Sequence, residues 1–127
     1  GGIDLRSCDN AMIYPGETLK FPTGYAIYIK DLSLCAFIMP RSGLGIKGIL
    51  PANVLGLIDS DYQGEMVVYL RNYSNEPYLV QNGDRIAQLV FMPIERVLFN
   101  SVLEFSQTTQ RGEGGFGSTG KGNGEKE

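Results

Sequence analysis

The feature that most limits the fold is a rhythm of short apolar runs, cut by turn-forming residues about every ten positions. Glu65–Arg71 (EMVVYLR) alternates, with Met66, Val68 and Leu70 on one face and Glu65 and Arg71 on the other. Gly24–Lys30 (GYAIYIK) is aromatic and β-branched, and Arg85–Met92 (RIAQLVFM) is a third strand-like run. Cys35–Met39 and Gly56–Ile58 are shorter candidates. Pro15-Gly16, Pro22-Thr23-Gly24, Ser74-Asn75-Glu76-Pro77 and Asn82-Gly83-Asp84 read as the turns between them. One short helix fits within Ser42–Lys47, weakened by glycine. The expectation is an all-β fold: a distorted antiparallel jelly roll or β-sandwich with at most one short helix. The length of 127 residues suits one domain. Its modest core buries roughly two thirds of the surface that the unfolded chain exposes.

Composition narrows the chemistry. Histidine is absent, which removes a Ser-His-Asp triad, a Cys-His pair, a histidine base and any histidine metal ligand. Cys8 and Cys35 are too few for a four-thiolate zinc site. They are expected as two buried free thiols in a reducing compartment, although a single bridge stays open. The net charge of −3 disfavours broad binding to nucleic acid or to anionic membranes, but not a small anion held by a few placed arginines. No apolar run approaches the ~18 residues of a membrane span, and no secretory leader is evident, so a cytoplasmic or nuclear protein is expected.

The excess of glycine is partly local. Seven of the 17 glycines fall between Gly112 and Gly124, and from Ser106 to Glu127 the only hydrophobic residue is Phe116. Such a segment cannot bury enough apolar area to offset its chain entropy. The expected division is a β domain over 1–105 and a flexible glycine-rich tail over 106–127. Embedded in that tail are one arginine (Arg111), one aromatic and a Ser-Thr pair, the residue types that bind phosphate and stack on a base. Two nucleotide-binding patterns match there by accident of composition. Gly112-x-Gly114-x-x-Gly117 and Gly115-x-x-x-x-Gly120-Lys121 both need a buried strand before them and a helix after them. Position 122 is glycine where a phosphate loop needs Ser or Thr.

Five segments in order are more informative. They are Gly2-Ile3-Asp4-Leu5, Pro40-Arg41-Ser42-Gly43, Gly56-Leu57-Ile58-Asp59-Ser60-Asp61-Tyr62-Gln63-Gly64, Gly83-Asp84-Arg85-Ile86-Ala87-Gln88-Leu89 and Arg111-Gly112-Glu113-Gly114-Gly115-Phe116-Gly117-Ser118-Thr119-Gly120. Together they resemble the five motifs of the trimeric dUTP diphosphatase (dUTPase) family, and the resemblance runs over essentially the whole chain. It implies hydrolysis of dUTP to dUMP and pyrophosphate, with Mg²⁺, by direct attack of water on the α-phosphorus. It also implies an N-terminal strand segment ahead of the first motif, expected to be missing from this sequence.

The resemblance assigns roles that the residue types can perform. Asp59 would be the general base, since a carboxylate can hold and polarise a water without histidine. Asp61 is left as an ordinary turn residue. Tyr62 would pack on the deoxyribose and exclude a 2′-hydroxyl. Asn53 would reach uracil, with backbone groups of a hairpin from about Asn53 to Met66 reading the rest of its edge. Arg41, Ser42 and Gly43 would contact phosphate, through a guanidinium fork, a hydroxyl and an unobstructed amide. Gln88 would contact the α-phosphate region, while Asp84 and Arg85 read as structural members of an Asn-Gly-Asp turn. Asp4 would act on Mg²⁺ through bound waters, because Mg²⁺ keeps most of its water shell and takes substrate phosphates as ligands. The tail would be a lid, with Arg111 on the γ-phosphate, Phe116 stacked on uracil, and Gly117, Ser118 and Thr119 adding donors. The implied assembly is a homotrimer with active sites shared between copies. A deaminase of the same fold would place a glutamate where this chain has Tyr69, and a non-catalytic nucleotide-binding module would not need Asp59, Gln88 and Arg111 together.

Overall fold

Nine strands and one short helix form among residues 1–120 and 122, which the computed structural model describes. In chain order they are β1 (Ile3–Arg6), β2 (Ala11–Ile13), β3 (Thr18–Ala26), β4 (Leu34–Met39), α1 (Ser42–Ile46), β5 (Ile49–Pro51), β6 (Gly56–Ile58), β7 (Glu65–Asn72), β8 (Tyr78–Val80) and β9 (Arg85–Pro93). They make three sheets, ordered β1-β9-β4-β6, β2-β8 and β3-β7-β5. Every pairing is antiparallel. This is the expected antiparallel all-β fold. β7 shows the alternation plainly: Met66, Val68 and Leu70 are buried, and Glu65 and Tyr69 are exposed. Phe21, Ile13, Ile49, Leu70, Ile86 and Val80 fill the core between the sheets.

The small sheets are joined by one polar side chain. Asn72, at the end of β7, is fully buried. Its amide nitrogen donates to the Ile13 carbonyl of β2 at 2.8 Å and to the Glu76 carbonyl ahead of β8 at 2.7 Å. Its amide oxygen accepts from the Ser74 amide at 2.9 Å and hydroxyl at 2.7 Å. Its backbone pairs with Glu17 and Gly16 beside β3. A two-stranded sheet is marginal alone, so this amide ties β2-β8 to the three-stranded sheet.

Several expectations are corrected. Gly24–Lys30 is not a strand: β3 starts earlier, at Thr18, and ends at Ala26. The Pro22-Thr23-Gly24 turn signal lies inside β3, where the register with β7 shifts between Pro22 and Ala26 and Gly24 takes φ 75. Such an irregularity accommodates proline and glycine without ending the strand. The Thr23 hydroxyl donates to the Met66 carbonyl across it at 2.6 Å. Ile27 and Ile29 still pack on the core, from a loop that ends in a left-handed Lys30 (φ 64). The stretch from Asn53 to Met66 is not one hairpin, because β6 pairs with β4 and β7 with β3 and β5. Cys8 and Cys35 are both free, but only Cys35 is buried. β1, β2, β5 and β8 span three or four residues each, too few for periodicity to declare them.

The chain divides into two compact units, one over Gly1–Arg96 and a second beginning at Val97. Residues 94–120 contain neither helix nor strand. Lys121 and residues 123–127, the end of the expected tail, lie outside the described residues. Among the described residues no helix is long and apolar enough to cross a membrane.

Replacing Asn72 with alanine removes a donor from the buried Ile13 carbonyl and partners from the part-buried Glu76 carbonyl and Ser74 amide. At ~1–3 kcal/mol for each unmade bond, the variant should lose roughly 2–4 kcal/mol of stability, read by urea denaturation.

Candidate functional site

β9 is the strand that gathers the candidate phosphate-binding residues. On one side it pairs with β1, placing Asp4 opposite Gln88, and on the other with β4, placing Met39 opposite the same Gln88. Pro40 and Arg41 follow β4 directly and lead into α1. Asp4 is gripped by two arginines: Arg41 Nε lies 3.1 Å from Oδ1, and Arg85 Nε lies 3.4 Å from Oδ2. Pairs this exposed add little stability, about 0–1 kcal/mol. Their effect is to orient both guanidinium groups. Arg41 also donates to the Arg85 carbonyl at 3.4 Å. Gln88 donates from Nε2 to the Pro40 carbonyl at 3.0 Å, leaving its oxygen free of that bond. Gly2 lies against the same amide: a Cβ there would sit 2.5 Å from Gln88 Oε1, too close for the amide to keep its place.

Arg41 and Gly43 open onto a cleft that is also lined by Arg6, Lys47, Asp84 and Arg85. Four cations line this hollow against Asp84 and the Asp4 carboxylate paired with two of them, which leaves it positive in a chain of net charge −3. Arg6 is held by a 2.7 Å bond to the Gly83 carbonyl, and Lys47 lies 5.9 Å over the Tyr78 ring. Burial, and then the Asp84 carboxylate, push the Tyr78 phenol above its ordinary pKa. Ser42 and Gly43 are the first two residues of α1. Arg85, read from sequence as a structural turn residue, is the first residue of β9 and pairs with Asp4.

Asp59 and Tyr62 lie in the turn that follows β6. The Tyr62 amide closes it onto the Asp59 carbonyl at 3.1 Å, and the Lys30 amide holds the Ser60 carbonyl at 3.1 Å. The half-exposed Tyr62 ring is fixed at its far end by a bond from its hydroxyl to the Glu65 carbonyl at 2.9 Å. Asp59 lines a hollow with Cys35, Ser60, Asp61 and Arg96, distinct from the cleft of Arg41. Arg96 is seated on the Leu32 carbonyl at 3.0 Å. The adjoining turn is set by Asp31, whose carboxyl is held below its ordinary pKa by the hydroxyl and then the amide of Ser33. Asn53 sits in the turn between β5 and β6. The compact unit thus brings Asp4, Arg41, Arg85 and Gln88 together and keeps Asp59 apart from them.

In the second unit Arg111, Phe116, Gly117, Ser118 and Thr119 line a common hollow. Tight turns bring them round it, from the Gly114 amide to Arg111, from Ser118 to Gly115 and from Gly120 to Gly117. Arg111 Nε bonds the Gly114 carbonyl at 2.6 Å, and the Phe116 ring is fully exposed. Among the described residues no three carboxylate or thiolate side chains converge as a metal cage. Asp4 presents a half-exposed carboxylate whose two oxygens already face cations. That donor set suits a hydrated cation carried by phosphate ligands and not a cation stripped of water.

Proteins of known name resemble this chain along nearly its whole length. A family model described as dUTPase matches residues 1–120. The deoxyuridine 5'-triphosphate nucleotidohydrolase of Tolumonas auensis is 55% identical over 123 residues, covering 94% of this chain and 81% of that protein. The Staphylococcus bacteriophage 80alpha dUTPase with dUPNHPP aligns with a TM-score of 0.81 at 27% identity, over 94% of this chain and 85% of that one. A mutant dUTPase from phage phi11 of S. aureus, described with a structural Mg(II) ion, aligns at 0.73 and 24% identity, over 82% and 84%, and shares the fold. With a match that runs from the first motif through the glycine-rich segment, and the same all-β architecture, the chain belongs to the dUTPase family.

Proposed function

We propose that this protein hydrolyses dUTP to dUMP and pyrophosphate, removing dUTP and supplying dUMP for thymidylate synthesis. The observation that carries the reading is the convergence of Asp4, Arg41, Arg85 and Gln88 around β9, in a family whose named members act on that substrate. Arg41, with Ser42 and Gly43, holds the phosphates, and Gln88 orients the α-phosphate. Asp59 takes a proton from the attacking water. The phosphoryl oxygens are left to fixed donors, which need no reorganisation as charge builds. Tyr62 packs on the deoxyribose and Asn53 meets the uracil edge. Mg²⁺, when bound, neutralises phosphate charge, and Asp4 would hold it through water. Arg111, Phe116, Gly117, Ser118 and Thr119 close over the nucleotide as a lid formed by the tail from Ser106, separate from the catalytic domain over 1–105.

The site is completed between copies in a homotrimer. Two observations support this: Asp59 and Arg41 line different hollows of one chain, and Val97, Leu98, Phe99, Leu103 and Phe105 expose apolar side chains. A chain in water gains by covering such surface. The two free cysteines suit a reducing compartment, the cytoplasm or nucleus.

Three measurements test this reading. Pyrophosphate release from dUTP with Mg²⁺ should fall about 10²–10⁴-fold in Asp59→Asn, the usual range for a lost general base; normal turnover would sink the assignment. Deleting residues 110–127 removes base stacking worth ~1–3 kcal/mol and a charge-assisted bond worth ~1.5–3 kcal/mol. It should cost about 10²–10⁴-fold in kcat/KM with the circular dichroism melt of the domain retained. Refolding a mixture of Asp59→Asn and Arg41→Ala chains should restore part of the activity that each lacks alone, with a solution mass of three chains. A mixture as inactive as its parts would rule out shared sites.

A further inference from the structure

We infer that Arg6, Lys47 and Arg85 form a binding site for free pyrophosphate on the far wall of the Arg41 cleft, apart from the phosphate contacts of Arg41, Ser42 and Gly43. The inference rests on the proposed reaction for the source of its ligand, because that reaction releases pyrophosphate. The sheet itself sets two of these cations face to face. β1 and β9 pair evenly from Ile3 opposite Leu89 to Leu5 opposite Ala87, and then the register shifts. Ile86 is passed over, so Arg6 stands opposite Arg85. Such a bulge re-aims the side chains beside it. Ile86 goes to the core, while Arg6 and Arg85 both line the cleft. Like charges directly opposite each other on an antiparallel pair are destabilising. Lys47, which follows α1, brings a third cation to the same cleft.

Little on the chain neutralises this wall. Among the described residues the ion pairs are those of Asp4 with Arg41 and Arg85, and neither Arg6 nor Lys47 is in one. Arg6 donates from Nη1 to the Gly83 carbonyl at 2.7 Å, which fixes one nitrogen of its guanidinium on a neutral partner. Lys47 Nζ rests 5.9 Å over the Tyr78 ring. Asp84 lines the cleft too, but its Oδ2 accepts from the Gln81 amide at 2.8 Å. An anion set among the three cations turns their mutual repulsion into attraction. Guanidinium forks match phosphoryl oxygens. The cations come from β1, β9 and the end of α1, and the cleft encloses about 530 Å³. Two linked phosphoryl groups reach such a spread of charge better than one.

Calorimetric titration of the full chain with pyrophosphate, at low salt and without Mg²⁺, reads this site without turnover. The wild-type chain should bind, and Arg6→Gln and Lys47→Gln should each weaken binding about tenfold, the size of one lost charge-assisted contact. Lys20→Gln, which removes an exposed charge from β3, should bind as the wild type does. Unchanged affinity in Arg6→Gln or in Lys47→Gln would overturn the inference. So would an equal loss in Lys20→Gln, because net charge would then be the cause. Orthophosphate binding as tightly as pyrophosphate would overturn the choice of ligand. Pyrophosphate release from dUTP, assayed with Mg²⁺ on the same preparation, is read separately. Its absence would overturn the proposed reaction, while the titrations decide the site.

Discussion

The buried amide of Asn72 is the interaction on which the arrangement of the sheets depends. Among the described residues there is one five-residue helix and sheets of two, three and four strands, and the two-stranded one is too small to be stable alone. Apolar contact brings the layers together, and Asn72 fixes how the two-stranded sheet meets β7, because both of its amide hydrogens and its oxygen are matched to partners on β2 and in the Ser74–Glu76 turn. A fully satisfied buried amide avoids the desolvation penalty of an unpaired one and admits few other geometries. Once β7 is held at that end, its other end delivers the Asp59–Gly64 turn at a defined place.

The site depends on a different constraint, which is charge. Asp4 stands between Arg41 and Arg85, and without that carboxylate two guanidinium groups would repel each other at the mouth of one cleft. The pairing is too exposed to stabilise the fold much, so its consequence lies in orientation. It aims two cations from different parts of the sheet toward one hollow, and a triphosphate is the kind of ligand that needs several cations held in place. Gln88 is fixed on the same strand by Gly2 and Pro40. The proposed base stands elsewhere, at the end of β6.

How far the sequence was legible follows from the length of each signal. β7 and β9 span eight and nine residues, and their apolar patterns were read correctly. β1, β2, β5 and β8 were not, because three or four residues cannot display a period of two. Pro22 and Gly24 misled for a physical reason. Both residues usually break strands, but an irregular register lets a strand absorb them, and β7 was long enough to keep pairing on either side. The apolar residues of Gly24–Lys30 do mark a partly buried segment. Ile27 and Ile29 reach the core from a loop whose backbone bonds go to Ser60 and not to a neighbouring strand. Arg85 was read as a turn residue and stands at the start of β9, paired with a carboxylate across the sheet that no local pattern reveals.

By itself the sequence determined the class of fold, the ordered set of chemical groups and the absence of histidine from any mechanism, because these are matters of residue type and local pattern. It also determined that the glycine-rich tail could not form a core, since one phenylalanine cannot offset the entropy of ordering some twenty residues. Only the tertiary structure decided which of those groups meet. The pairing of β9 with both β1 and β4 sets Asp4, Arg41 and Gln88 side by side, although they lie more than eighty residues apart in the chain at the extremes. The register of that sheet is a long-range property, set by which face of each strand is buried, and no local sequence signal encodes it. The same is true of the positive φ of Val54 (64), which nothing in its residue type announces and which the turn between β5 and β6 imposes.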